Sequence, residues 1–137
     1  MDDVDENALM VNALQRHAYA VVQKSLVEGF GLTVTEAMWK GRPVIASAIG
    51  GIQDQIVDGM SGLLLPDPTD LDAFAGTLKR VLDDRVLAER IGSAGRERVR
   101  ELFLGDKHLV RYIELFASLL GTLTPSVSPD VSAFTAR

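Results

Sequence analysis

The sequence predicts an α/β fold built on a small parallel sheet flanked by helices, and three observations carry that expectation. Short apolar runs alternate along the chain with stretches of helical periodicity, the pattern of strand–helix–strand crossovers. The runs are continuously apolar rather than alternating, as expected of strands buried on both faces. The chain has 137 residues, 47% of them hydrophobic, enough for one domain with a real core.

Taken in order, residues 1–8 open as an acidic arm, with Asp2, Asp3, Asp5 and Glu6. From about Leu9 to Ala18 the spacing is helical, with Val11, Leu14 and Ala18 on one face. Tyr19–Gln23 is a short apolar run with β-branched residues and reads as a buried strand. Ser25–Gly31 is a loop, and Thr33–Lys40 a helix that Gly41 stops. Pro43–Ala46 is a second strand, followed by a Gly50-Gly51 turn, a short helix over Gln53–Val57 and an Asp58-Gly59 turn. Gly62–Leu65 is a third strand, closed by Pro66.

The rest of the chain is helical. Thr69 is the expected cap of the next helix, with Leu71, Phe74, Leu78 and Val81 as its apolar stripe. A second helix is expected over Val86–Leu102, with Leu87, Ile91 and Val99 inward. A third is expected over Lys107–Leu120, with Leu109, Tyr112, Phe116 and Leu119 inward. Residues 122–137 hold Pro125, Pro129 and several serines and threonines, and read as a disordered tail. The folded domain is thus expected over 9–121. A complete doubly wound domain usually has about five or six strands. Three strands suggest half of one, with the other half before Met1.

Composition narrows the function. Net charge is −5, and the basic residues between Lys79 and Arg111 are interleaved with acids, so a nucleic-acid partner is not expected. No apolar run reaches the roughly 20 residues of a membrane helix. The acidic start does not resemble a signal peptide, so a cytoplasmic location is expected. The chain has no cysteine and two histidines, His17 and His108, so no metal site is expected. Both histidines read as ordinary surface or packing residues.

The stretch that carries chemistry is Glu28-Gly29-Phe30-Gly31-Leu32-Thr33-Val34-Thr35-Glu36-Ala37-Met38, between a strand and a helix. In open parallel sheets ligands bind beyond the carboxyl ends of the strands. Glycines let backbone N–H groups approach a ligand, and the positive end of the following helix suits phosphate. Carboxylates accept hydrogen bonds from sugar hydroxyls. The residues themselves therefore suggest a site for a phosphate plus a polyol. The plainer reading makes Glu28 and Glu36 solvated helix-end charges. Gly50-Gly51 is as readily a tight turn as a ligand-facing loop. Lys24 reads as a solvated strand end and Trp39 as packing.

Glu28 and Glu36, with seven residues between them and Gly-Phe-Gly after the first, resemble the signature of retaining GT-B glycosyltransferases, the glycosyl transferases group 1. Glu36-Ala37-Met38, Gly41-Arg42-Pro43-Val44-Ile45-Ala46, Gly50-Gly51, Ile56-Val57-Asp58-Gly59 and Gly62-Leu63 fit as well. Several stretches resemble the trehalose glycosyltransferring synthases (trehalose synthase, nucleotide-sugar type) more narrowly. They are Val11–Arg16, Glu36–Gly41, Gly51–Gly59, Lys107-His108 and Arg111-Tyr112. The resemblance covers roughly residues 9–120 and implies the latter half of a GT-B C-terminal domain.

The resemblance also implies roles. Glu36 would hold the ribose of a nucleotide sugar such as UDP-, ADP- or GDP-glucose. Glu28, the candidate catalytic residue, would hold the hexose hydroxyls as a positioning group and not a nucleophile. Backbone N–H groups of Gly29, Phe30, Gly31 and Leu32 would bind hexose and diphosphate, with the Thr33 hydroxyl on phosphate. No cofactor or metal is implied, since protein donors support the leaving diphosphate. The family's phosphate-binding Arg and Lys and its N-terminal acceptor domain have no counterpart here, which implies a chain inactive alone. The parent reaction would be glucosyl transfer from a nucleotide-glucose to glucose, giving trehalose. The alternative is an inactive α/β module that binds sugar nucleotide weakly or assembles with itself. A homo-oligomer is expected, because a half-sheet leaves an open edge. A response-regulator-like domain would need an acidic cluster after Val21-Val22, which is absent.

Overall fold

The computed structural model describes residues 3–104, 113 and 116–118. It divides into two compact units, Met1–Phe103 and Leu104–Arg137. The first contains α1 (Asp3–His17), β1 (Val21–Gln23), α2 (Leu32–Trp39), β2 (Val44–Ser47), α3 (Ile52–Gln55), β3 (Leu63–Leu65), α4 (Leu71–Asp83) and α5 (Arg85–Leu102). In the second, Ile113 and residues 116–118 are helical, inside the span expected as a third late helix. Phe116, expected inward, is exposed. Leu109, Tyr112, Leu119 and the expected tail 122–137 lie outside the described residues, as does His108.

The sheet is parallel with order β1-β2-β3. Val21 pairs with Val44, and Ile45 with Leu63. Alternate residues of β2 serve opposite faces. Val44 and Ala46 join Val34, Ala37 and Met38 of α2, with Ile52, Ile56 and Val99. Ile45 joins Leu63 and Leu65 of β3, with Val81 of α4 and Leu87, Ala88 and Ile91 of α5. Helix α5 therefore contributes to both layers. Two of its glycines permit the close approach: a Cβ on Gly92 would lie 2.4 Å from the Gly41 carbonyl oxygen, and one on Gly95 2.8 Å from that of Ser61. Leu87, Ile91 and Val99 are buried, as their spacing requires.

The ends of α2 follow from its sequence. Its C-terminus closes with Gly41 at φ +69°, Gly41 N–H donating to Met38 O and Arg42 N–H to Ala37 O. This pair of bonds is the Schellman arrangement, for which glycine carries no Cβ penalty. At the other end Gly31 stands at φ 78°, and no side chain caps the first N–H groups.

Several details differ from expectation. Helix α1 starts at Asp3, inside the acidic arm. Its expected inner face is not inner: Leu14 is 72% exposed and Val11 is exposed, whereas Gln15 is buried. Gln15 is held by Glu36 and Lys40, so polar contacts to α2 decide how α1 rotates. Leu71 of α4 is exposed, while Val81 is buried and Phe74 and Leu78 pack against the core. The cap of α4 is Asp70, accepting from Ala73 N–H, and not Thr69. Thr69 instead donates both its N–H and its hydroxyl to Asp67, 2.7 Å in each case. These two bonds, the hydroxyl first, hold the Asp67 carboxyl below its usual range. Asp84 caps α5 by accepting from Leu87 N–H. Among the described residues no helix is long and apolar enough to cross a membrane.

Candidate functional site

The two glycine-rich loops beyond the carboxyl ends of β1 and β2 are in direct contact. Gly51 N–H donates to Gly29 O at 2.7 Å. A Cβ on Gly50, which stands at φ +50°, would lie 2.0 Å from the Glu28 carbonyl oxygen and 2.9 Å from that of Gly29. A Cβ on Gly51 would lie 3.0 Å from the Gly29 oxygen. Gly50-Gly51 is therefore the abutment on which residues 28–30 rest, a role beyond that of a turn.

Beneath this contact lies Gln55, fully buried. Its amide nitrogen donates to Phe30 O, and its amide oxygen accepts from the Thr35 hydroxyl at 2.8 Å. Its own carbonyl oxygen accepts from Arg98 Nε at 2.6 Å, and Arg98 also donates to Asp54 O. The Phe30 ring meets Phe103 edge-on at 6.0 Å. The buried side-chain amide of Gln55 thus joins the loop to α2, and its backbone carbonyl, through Arg98, joins α5. Sequence reading passed over Gln55, because a single glutamine in a four-residue helix has no periodicity to mark it. Its one available signal was position, just after the glycine pair.

The glycines of the first loop differ in kind. Gly31 needs its missing side chain: φ is +78°, and a Cβ would lie 2.9 Å from Ile52 Cγ1. Gly29 does not, since its φ is not in the left-handed region and a Cβ would meet nothing within 4 Å. The space over Gly29 is open, as backbone approach by a ligand would require.

Glu28 is half-buried, and its carboxylate accepts from Gln23 Nε2 at 3.1 Å, Ser25 Oγ at 3.4 Å and Gly29 N–H at 3.2 Å. Glu36 lies in the second turn of α2 and is exposed. It accepts from Gln15 Nε2 at 3.3 Å and lines a groove with α1 residues including Ala8, Val11 and Asn12. The two carboxylates thus have separate partners, one from the β1 end and one from α1. Leu32 and Thr33 are exposed at the uncapped start of α2, and Phe30 is half-exposed. Lys24 is near enough to Asp67 to favour its charged form. Trp39, expected as packing, is 40% exposed with the Arg96 guanidinium 5.4 Å from its ring centre. Ser47, ending β2, is buried with no hydrogen-bond partner for its hydroxyl.

Residues 6–98 match the family model described as glycosyl transferases group 1. The chain belongs to this family. It is 47% identical over 112 residues to a trehalose synthase of Thermococcus litoralis, covering 82% of this chain and 26% of that protein. Among solved structures it resembles sucrose-phosphate synthase from Thermosynechococcus elongatus, with a TM-score of 0.70 and 37% identity over 89% of this chain and 29% of the other. It also resembles a mutant of S. aureus TarM in complex with Fondaparinux, alpha-GlcNAc-glycerol and UDP, at TM-score 0.70 and 30% identity, covering 78% and 22% of the two chains. The three-stranded parallel sheet with its helices is thus part of a GT-B glycosyltransferase fold. The chain spans about a quarter (26%) of the length of the trehalose synthases it matches.

Proposed function

We propose that this chain is the nucleotide-sugar-binding segment of a retaining glycosyltransferase whose parent reaction moves glucose from a nucleotide-glucose to an acceptor, giving trehalose when the acceptor is glucose. The observation that carries the reading is the loop over Gly29. It is braced from behind by Gly50, Gly51 and Gln55, and open in front, where neither backbone angle nor packing demands a glycine. In this reading the N–H groups of Phe30, Gly31 and Leu32, and that of Gly29 on exchanging the Glu28 carboxylate for the ligand, hold hexose and diphosphate beside the uncapped start of α2. Thr33 adds a hydroxyl to the phosphate. Glu28 holds hexose hydroxyls and Glu36 the ribose. The structure of a TarM mutant with UDP and the trehalose synthase relatives support a nucleotide-sugar ligand.

Calorimetric titration with UDP-, ADP- and GDP-glucose tests the proposal and ranks the bases. Each glutamate makes charge-assisted hydrogen bonds worth roughly 1.5–3 kcal/mol, about a 10- to 150-fold change in affinity. Glu36→Ala weakens both nucleotide diphosphate and nucleotide sugar, whereas Glu28→Ala weakens only the sugar-bearing ligand. Equal loss of both ligands in the two variants would overturn the assignment of roles.

The self-associating alternative has its own support: α1 exposes Leu9, Met10 and Leu14 together, and β1 forms an open edge of the sheet. Self-association and a cytoplasmic location belong to the same proposal. Light scattering at tens of micromolar, within the usual association range, gives a mass above one chain. A monodisperse monomer counts against that part.

A further inference from the structure

At the end of the sheet opposite the two glycine loops, five basic side chains converge on one cavity. Arg16 and His17 end α1, Lys40 caps α2, Arg42 leads into β2, and Arg96 comes from the middle of α5. With Asn12 and Trp39 they line a cavity of about 590 Å³. The surrounding chain is acidic, with net charge −5, so the convergence is not a reflection of composition. Among the described residues, none of the five is paired with a carboxylate.

Helix dipoles account for part of this. Cations favour helix C-termini, which explains Arg16 and Lys40. They do not explain Arg42 or Arg96. Both of these guanidinium groups are already anchored. Arg42 donates from one terminal nitrogen to Ala18 O at 3.3 Å, and its buried Nε has no partner. Arg96 lies 5.4 Å from the centre of the Trp39 ring. Guanidinium forks match phosphate oxygens two at a time, and anchored ones lose little freedom on binding.

We propose that this cavity is a second, separate binding site for a phosphate-bearing small anion, remote from the nucleotide-sugar loops. It does not depend on the reading of those loops, because β1 and β2 are parallel and the two sites lie at opposite ends of them. A di- or polyphosphate suits it better than a single phosphate, since more than one guanidinium group can then be engaged at once. Bound there, the anion would tie α1, α2 and α5 together through Arg16, Lys40 and Arg96.

Trp39 is the only tryptophan in the sequence and lines the cavity, so its fluorescence reports on the site directly. Titration of the chain with pyrophosphate at low salt gives a saturable change in that fluorescence, with a Kd on the order of 1 mM or tighter. The affinity falls as salt is raised. Arg42→Gln and Arg96→Gln each weaken it about tenfold. Arg42→Lys, which keeps the charge but not the fork, weakens it by less than Arg42→Gln. Parallel titration with inorganic phosphate and with UDP identifies the source: response to pyrophosphate and UDP alike marks a site for any diphosphate, and response to pyrophosphate alone marks one for the free anion. Circular dichroism confirms that each variant is folded. No saturable change up to about 10 mM pyrophosphate, or a change that persists undiminished in folded Arg42→Gln and Arg96→Gln, overturns the proposal.

Discussion

Substituting Gly50 by alanine separates the abutment of the two loops from the ordinary preference of a turn for glycine. Two costs are involved. Gly50 has φ +50°, and a non-glycine residue in that left-handed region costs about 1–2 kcal/mol. The second cost is steric. The new Cβ would stand 2.0 Å from the Glu28 carbonyl oxygen, a backbone atom that no rotamer change can remove. The loop must retreat by about 1 Å or more, and its bonds to Gly51 N–H and to Gln55 are the first to lengthen. Losing one typical hydrogen bond costs about 0.5–1.5 kcal/mol, and leaving a buried amide unsatisfied about 1–3 kcal/mol. Gly59 supplies the control: its φ is +73°, yet a Cβ there meets nothing within 4 Å. Gly59→Ala should therefore lose about 1–2 kcal/mol from backbone conformation alone. Gly50→Ala should lose about 2–4 kcal/mol more. Urea unfolding followed by far-ultraviolet circular dichroism, with equal slopes for the two variants, measures the difference. If the two variants fall within about 0.5 kcal/mol of one another, the loops do not brace each other as described.

Other expectations follow from the same geometry. Gln55→Leu keeps the volume but strands Phe30 O and the Thr35 hydroxyl, and should cost about 2–3 kcal/mol in thermal or urea unfolding. Gln55→Glu should be worse, because a carboxylate would face the Phe30 carbonyl oxygen. Asp70→Ala and Asp84→Ala should each cost about 0.5–2 kcal/mol, measured the same way, as losses of helix caps. Thr69→Val should raise the Asp67 pKa towards its ordinary value, read by NMR titration, since the largest cause of its lowering is the Thr69 hydroxyl. The purified chain should form no trehalose from nucleotide-glucose and glucose in a coupled assay, because it spans about a quarter (26%) of its trehalose synthase relatives.

Much of the sheet could be read from residue order alone. Val44-Ile45-Ala46 is too short and too uniformly apolar for anything but a buried strand, and Gly41 marks the end of α2 by its left-handed conformation. Leu87, Ile91 and Val99 gave α5 its inner face by spacing. What escaped was set by contacts distant in sequence. The rotation of α1 depends on Gln15 reaching Glu36 and Lys40, and no periodicity of apolar residues encodes that. Asp70 and Thr69 are both good capping residues, and the choice between them fell to Asp67, which engages the threonine first. In the loop, Gly29 and Gly31 look equivalent as letters. Only the backbone angle of Gly31 and its packing on Ile52 separate the structural glycine from the open one.

The bracing of the first loop has a consequence for the order in which the protein is made. Residues 28–31 leave the ribosome before the residues that fix their shape. Gly50, Gly51 and Gln55 come about two dozen residues afterwards, and Arg98 and Phe103 some seventy afterwards. Contacts so widely separated in sequence form slowly, because the intervening chain must first be closed into a loop. During synthesis, residues 28–31 therefore stay without their final shape until α5 has emerged and docked. The Gly51 amide, whose N–H donates to Gly29 O, should be among the last to gain protection from hydrogen exchange during refolding, together with those of α5.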